Sequence, residues 1–213
     1  ALLTVGSVAG ATSYIFKRDG FTLATQAGLT YTDNSVVKGV TYSYTVEATD
    51  GVDTSVSSTS SFFIEASFTT STLVNGATLV GSVNPLTLTV RPEVAITAGS
   101  TLTLAGLSGS QTATNVSLTI AGTNAAVFGS SASWNNNGTL VLTVDTGQSI
   151  PNNADTVITF ELTNPASVSS GVSSVTLSSS GYTQASISGT FLNAVDIFNV
   201  TTRDTEANIL AST

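Results

Sequence analysis

The sequence predicts an all-β fold made of two tandem antiparallel β-sandwiches and a C-terminal strand-forming extension. Short segments alternate apolar and polar residues, turn residues separate them at close intervals, and no stretch keeps a helical period over about ten residues. The expected boundaries are residues 1–66, 67–192 and 193–213 of the 213-residue chain.

Composition indicates where such a protein works. Hydrophobic residues make up 41% of the chain but charged residues only 8%, so Ser and Thr must cover much of the surface. A neutral, hydroxyl-rich surface suits a secreted or cell-surface β protein; it belongs either to an ordinary neutral, soluble β-domain or to a surface that carries O-linked sugar. The net charge of −8 and the five scattered Lys and Arg residues exclude a nucleic-acid partner. No apolar run approaches ~18 residues, so the sequence predicts no membrane span.

The chain is poor in chemistry-bearing residues. It contains no Cys and no His, which removes disulfides, thiolate nucleophiles and the commonest general base. We therefore expect no enzyme activity, no cofactor and no metal centre. Asp50 and Asp53 flank a turn, where they either help to hold a Ca²⁺ ion with Glu47 or accept hydrogen bonds from nearby backbone amides.

The first 66 residues predict a run of short strands. Alternation marks segments 12–18 (TSYIFKR), 29–33 (LTYTD), 41–48 (TYSYTVEA) and 60–66, and turn residues such as Asp19-Gly20 and Asp50-Gly51 separate them. Within the third segment, Tyr42, Tyr44 and Val46 share one face of the strand.

Two motifs in this region resemble those of fibronectin type III domains. The segment VAGATSYIFKRDG, residues 8–20, is similar to the family's link between strands B and C, and YTVEATDG, residues 44–51, is similar to its strand F. The resemblance implies a seven-strand sandwich that serves spacing and adhesion. Val5 stands where the family usually has a buried Trp, and we expect the first strand of the domain, strand A, to be absent.

Residues 67–82 predict a joint with a hairpin at Asn75-Gly76, and all four prolines lie beyond it. Seven further alternating segments predict a second, immunoglobulin-like sandwich: 86–90, 101–104, 116–120, 139–144, 156–162, 172–177 and 185–191.

Two kinds of candidate site lie in this second region and after it. Trp134, the only Trp, precedes the turn at 135–138; it either stacks on a sugar or packs in the core. Three N-x-S/T sequons make Asn115, Asn137 and Asn199 candidate glycosylation sites.

The extension suggests self-assembly. Its apolar positions lack a local partner, and an incomplete first sandwich leaves an open sheet edge. We expect a strand of one copy to complete the next copy head to tail, which gives a fibre and not a closed dimer. The expected pairing places Val195, Ile197, Phe198, Val200, Ile209 and Leu210 near Leu2, Leu3 and Val5. The same join also describes one repeat of a polyprotein. The alternative function is a carbohydrate-binding or adhesin accessory module of a larger surface protein.

Overall fold

A computed structural model describes residues 1–196, and this part of the chain is all-β as predicted. It contains eighteen strands, and its one helical element is a single 3-10 turn at Ala125–Phe128. The chain separates into two compact units. The first comprises Ala1–Ala66 with Gly181–Thr183, and, within the described residues, the second comprises Ser67–Ser180 with residues 184–196. No helix in residues 1–196 is long and apolar enough to cross a membrane.

The first unit contains two antiparallel sheets. The smaller pairs β1 (Leu2–Thr4) with β4 (Thr30–Thr32). The larger has the order β3-β2-β5-β6, and β7 also pairs with β5; these strands are β2 (Ser13–Arg18), β3 (Phe21–Gln26), β5 (Thr41–Thr49), β6 (Thr54–Val56) and β7 (Ser60–Phe63). The predicted Asp19-Gly20 turn joins β2 to β3. Both residues have positive φ, 51° and 84°, which suits the twist of a tight hairpin.

The two sheets of the first unit face each other across an aromatic core. Strand β5 buries every second side chain, as its alternating sequence predicts. The ring of Phe16 on β2 lies 5.7 Å from that of Tyr31 on β4, which links the inner faces of the two sheets. The buried core residues are Leu3, Tyr14, Phe16, Tyr42, Tyr44, Val46 and Ala48.

The second unit contains a continuous antiparallel ladder of nine strands. Its order is β18-β17-β11-β14-β13-β12-β16-β9-β8, and β12 pairs with both β13 and β16. The strands are β8 (Phe68–Asn75), β9 (Val83–Pro92), β11 (Thr101–Ala105), β12 (Asn115–Ala121), β13 (Ser131–Asn135), β14 (Thr139–Thr143), β16 (Thr156–Thr163), β17 (Val172–Ser179) and β18 (Ala185–Phe191). A separate pair joins β10 (Ile96–Thr97) to β15 (Ser149–Ile150).

Alternation again explains the core of the second unit. Strand β9 buries Leu86, Leu88 and Val90, and in its register with β16 these lie opposite Phe160, Ile158 and Thr156. Two fully buried amides, Asn84 and Asn164, bond to each other at 2.9 Å. Asn84 Oδ1 also accepts hydrogen bonds from the Gly76 and Ala77 amides, both at 3.0 Å. A buried polar group is tolerated because it is satisfied in this way.

Two segments lie at the predicted boundaries. Residues 67–82, predicted as a joint with a hairpin at Asn75-Gly76, include β8, which ends at Asn75, pairs with β9 along its length and belongs to the second unit. The predicted extension begins at residue 193, but its first residues also belong to that unit. Ala194 is fully buried and bonds to Ser169 in both directions at 2.9 Å. The assignment of the units to particular sandwich classes stays a prediction.

Candidate functional site

Strand β1 has one edge that pairs with no other strand among residues 1–196. On its paired side, the amide of Asp33 donates to the carbonyl of Ala1 at 2.7 Å, and the amide of Val5 donates to that of Leu29 at 2.9 Å. Because antiparallel strands alternate the direction of their backbone groups, the N–H and C=O groups of Leu3 also point toward β4. The N–H and C=O groups of Leu2 and Thr4 therefore point away from β4, toward the unpaired edge.

A groove of about 210 Å³ lies beside this edge. We call it the β1 groove; it is lined by Leu2, Leu3, Thr4, Val5, Tyr44, Thr45, Val46, Ser57, Ser58, Ser60 and Phe62. One wall comes from β1 and the other from the β5–β7 side of the larger sheet. None of these lining residues is charged, so an occupant with apolar side chains and an extended backbone fits it best.

The groove leaves apolar side chains exposed. Phe62 lies opposite Tyr42 on β5, on the face that carries the core tyrosines, yet it is 54% exposed. Its ring stays 6.2 Å from that of Tyr44. Leu2 is 72% exposed, whereas Leu3 is only 9% exposed because it points into the core. The inner face of the first unit is thus uncovered along the side that borders β1.

A buried carboxylate holds the strand that supports β1. Asp33, just after β4, is 1% exposed. It accepts hydrogen bonds from Arg18 at 2.7 Å, from the Tyr44 hydroxyl at 3.0 Å, and from the Ser35 amide and hydroxyl at 2.9 and 2.7 Å. Burial by itself raises the pKa of Asp33, but the bonds from Ser35 and Tyr44 and the charge of Arg18 outweigh it and lower that pKa to about 2.

Arg18 and the tyrosines extend this cluster. The guanidinium carbon of Arg18 lies 4.8 Å from the ring centroid of Tyr42, which favours a cation–π contact. The Tyr42 hydroxyl in turn accepts a hydrogen bond from the Val37 amide at 2.9 Å. The sequence did not indicate this cluster, because Asp33 has the pattern of an ordinary turn residue. The one available signal was the position of an acidic residue directly after an alternating strand.

The structure places Val195, a predicted inter-subunit residue, within the second unit. Its amide donates to the Thr78 carbonyl at 2.7 Å, and its carbonyl accepts from the Val80 amide at 3.2 Å. Val195 therefore cannot pair with another copy unless these bonds break. The other predicted residues of the extension, Ile197, Phe198, Asn199, Val200, Ile209 and Leu210, lie outside the described residues.

Trp134 is a core residue, and the sugar-stacking alternative for it is wrong. Its side chain is 0% exposed, and its indole N–H donates to the Thr112 carbonyl at 3.1 Å. It occupies an inward position on β13, between the exposed Ser133 and Asn135. A sugar ring needs an accessible aromatic face, which this residue lacks.

Two predicted glycosylation residues have exposed side chains. Asn115 begins β12 at an irregularity in its pairing with β13, and its Oδ1 accepts from the Ser117 amide at 2.9 Å. Asn137 lies in the turn between β13 and β14, where its backbone amide donates to Asn135 Oδ1 at 3.1 Å. The side-chain amides of both residues are exposed, and both residues lie near the same end of the β12–β13 hairpin.

The Asp50 side chain accepts hydrogen bonds from backbone amides of the 50–53 turn. Asp50 Oδ1 accepts hydrogen bonds from the amides of Val52 and Asp53, both at 2.8 Å. These bonds, that from Asp53 first, lower the pKa of Asp50. Glu47 forms an ion pair with Lys17 instead of facing the turn. Residues 1–196 contain no group of three or more Cys, His, Asp or Glu side chains placed to hold a metal ion.

Comparison with known proteins finds short or distant similarity. No family model matches the chain. Chitinase 63 of Streptomyces plicatus is 52% identical over 44 residues, and chitinase C of Streptomyces lividans is 50% identical over 44 residues. Each match covers 21% of this chain and 7% of the chitinase, so the chain spans a small part of these relatives. A solved putative membrane anchored protein from Corynebacterium diphtheriae matches with a TM-score of 0.34 and 12% identity, over 87% of this chain and 52% of that one.

Proposed function

We propose that this chain is the structural protomer of an extracellular, glycosylated filament that assembles head to tail by strand complementation. In this proposal both units are antiparallel β-sandwiches, the first of fibronectin type III type and the second immunoglobulin-like. The observation that supports it most is the unpaired edge of β1 beside the uncharged β1 groove. An added strand satisfies the backbone groups of Leu2 and Thr4 and covers the exposed ring of Phe62.

The proposed source of this strand is the chain after Asp196 of another copy. Because Val195 is bonded within the second unit, that unit holds the start of the segment at a fixed place. The acceptor lies in the first unit and the donor leaves the second, so the two contact surfaces differ. A contact between different surfaces propagates from copy to copy and builds a fibre.

Glycosylation is part of the proposed extracellular filament. The exposed side chains of Asn115 and Asn137 are accessible to an oligosaccharide transferase, and Asn199 completes the proposed set. The low charge of the chain supports a surface that depends on hydroxyl groups and sugars for its solubility. The intact masses of the wild-type chain and the Asn137→Gln variant, both produced in the natural host, test the Asn137 site. Loss of the mass of a glycan in the variant supports the site, and no loss beyond the substitution itself contradicts it.

Truncation after Asp196 tests the proposed assembly. The full chain should form fibres in negative-stain microscopy and large particles in light scattering, and the truncated chain should stay monomeric. Thr4→Pro in the full chain is the second variant. It removes an N–H that faces the unpaired edge, so it should block assembly, whereas Thr4→Val keeps the N–H and should assemble. Fibres from the truncated chain would contradict the proposal.

A second candidate function rests on the chitinase similarity. Chitinases act on chitin, and a stretch shared with two of them supports an accessory module of a carbohydrate-active surface protein. Since Trp134 is buried, the exposed Phe21 at the tip of the β2–β3 hairpin is the better aromatic for stacking on a sugar. Binding of the wild-type chain to insoluble chitin that is lost on Phe21→Ala would favour this function. No binding of the wild-type chain would contradict the function, and equal binding of the wild-type and variant chains would contradict the role of Phe21.

A further inference from the structure

We propose that a glycan on Asn115 folds back into a cleft of the second unit, an inference that rests on the proposed glycosylation. The cleft lies between β12 and β16 and has a volume of about 470 Å³; we call it the β12 cleft. Its lining residues are Val83, Thr112, Asn115, Leu118, Thr119, Ala121, Thr159, Phe160, Glu161, Leu162 and Thr163. Because Asn115 is one of them, the first sugar of its glycan starts at the wall of the cleft.

The β12 cleft forms where the pairing of β12 with β16 stops. The two strands pair at Ile120 and Ala121, and before Ile120 the described chain pairs β12 only with β13. The loop that precedes β12 closes the other end of the gap. There the Thr163 amide donates to Thr112 Oγ1 at 2.7 Å, and the Thr163 carbonyl accepts from the Gln111 amide at 2.9 Å. The cleft is therefore bounded at both ends and has room for a short occupant.

The backbone around Asn115 presents its side chain at this cleft. The register of β12 with β13 shifts between Asn115 and Leu118, where β12 has one residue more than β13, which is a β-bulge. Asn115 Oδ1 accepts a hydrogen bond from the Ser117 amide at 2.9 Å, so the orientation of the side-chain amide is fixed. In the modification, Asn115 Nδ2 replaces the phosphate leaving group at C1 of an activated glycan and loses one proton. The glycan thus begins in a defined direction.

The chemistry of the lining suits a sugar. A sugar ring has apolar C–H faces and a rim of hydroxyl groups, and ligand sites combine apolar walls with a few polar groups that fix orientation. Val83, which is 56% exposed, and the half-buried Leu118 supply apolar surface for the C–H faces. Glu161 is the only charged residue of the lining, and its carboxylate accepts hydrogen bonds from sugar hydroxyls. Further hydroxyl groups come from Thr112, Thr119, Thr159 and Thr163.

Covalent attachment makes even a weak contact sufficient. A group on a short flexible linker has an effective concentration in the mM range, so a contact with a Kd of about 1 mM is populated about half of the time or more. The bound glycan then covers the side of β12 that β16 leaves unpaired in residues 115–119, which protects an open sheet edge. Asn137 is the contrasting site, because it is exposed but does not line the β12 cleft.

Hydroxyl-radical footprinting of full chains produced in the natural host tests the cleft. Ser117→Ala removes the sequon but keeps Asn115 and its bond to the backbone amide, whereas Ser117→Thr keeps the sequon and is the matched control. Oxidation of Val83 and Leu118 should be several-fold higher in Ser117→Ala than in wild type, and Ser117→Thr should resemble wild type. Val74 on β8 is the internal reference, since it is 59% exposed and does not line the cleft.

Intact masses of the same chains separate the two levels of the proposal. Loss of a glycan in Ser117→Ala together with increased oxidation of Val83 and Leu118 supports both the modification and the cleft. A glycan on Asn115 with equal oxidation in wild type and Ser117→Ala overturns the cleft and leaves the glycosylation standing. Absence of a glycan from Asn115 overturns both at this site. An increase at Val74 as large as that at Val83 also overturns the cleft, because the whole unit is then loosened.

Discussion

Removal of the charge at Asp33 should destabilise the first unit and change its acid response. In the folded chain the Asp33 carboxylate is buried and hydrogen-bonded to Arg18, Ser35 and Tyr44. Asp33→Asn keeps the shape of the side chain but replaces one acceptor oxygen with an NH₂ group that faces the Arg18 guanidinium. Strand β4, which ends just before Asp33, is the partner of β1, so the variant also weakens the support of the β1 groove.

The size and the pH range follow from the pKa. The pKa of Asp33 falls from the ordinary value of 3.8 to about 2 in the folded chain, a difference worth about 2 kcal/mol. Because the folded-state pKa is the lower one, ionisation stabilises the fold above pH ~4, and this stabilisation is lost as pH falls from ~4 to ~2. Asp33→Asn should therefore cost about 2 kcal/mol at neutral pH, and the difference from wild type should shrink through that acid range.

The chain provides a separate spectroscopic signal for each unit. All five tyrosines belong to the first unit, and Trp134 belongs to the second. In urea unfolding, the near-ultraviolet circular dichroism of the tyrosines should report the loss of stability of the first unit. The unfolding midpoint measured from Trp134 emission should not change. Asp53→Asn, at an exposed turn, is the matched control and should behave as wild type. An Asp33→Asn variant as stable as wild type at neutral pH, or a difference that does not change with acid, would refute the reasoning.

Three further predictions concern the second unit, each read from Trp134 emission in urea. Asn84→Ala leaves the Gly76 and Ala77 amides without their acceptor and should cost about 3 kcal/mol or more; stability near that of wild type would show that the buried amides are dispensable. Gly138→Ala should cost about 2 kcal/mol or more, because φ is +98° and the added Cβ would lie 2.7 Å from the Leu107 carbonyl carbon; an unchanged midpoint would contradict that packing. Arg91→Ala, at an exposed ion pair with Asp155, should leave the midpoint unchanged, and a clear loss would mean that the pair is more than a surface contact.

Local sequence patterns predicted the elements better than their pairing. The alternation at Tyr42, Tyr44 and Val46 correctly indicated a half-buried strand, and Asp19-Gly20 correctly indicated a hairpin. Both signals are short-range, since side-chain period and positive φ act within a few residues. The all-β class followed from many such signals together.

The features that the sequence did not indicate depend on long-range packing. Residues 67–82 are not among them, because β8 ends at the predicted Asn75-Gly76 turn and pairs with β9, the next strand along the chain. For Trp134 the sequence leaves two alternatives open, because the turn that follows it does not indicate which face of β13 is buried. Asn84 and Asn164 are 80 residues apart, and no local pattern indicates that their amides meet.

The β1 groove was only partly predictable. An unpaired edge near residues 1–5 was expected, but the opposite wall, with Ser57, Ser60 and Phe62, depends on how β7 folds back onto β5. The bonds of Val195 to Thr78 and Val80 were not foreseen either, since they join an apparent tail to a distant loop. They shorten the proposed donor to the chain after Asp196.

Amide hydrogen exchange at Leu2 and Thr4 tests the central claim most directly. In the assembled full chain the inserted strand should protect both N–H groups, and in the chain truncated after Asp196 both should exchange rapidly. The Leu3 N–H faces β4 in either chain, so its protection should change little and serves as the internal reference. Strong protection of Leu2 and Thr4 in the full chain alone is the predicted result; equal, rapid exchange of these two amides in both chains would contradict strand complementation.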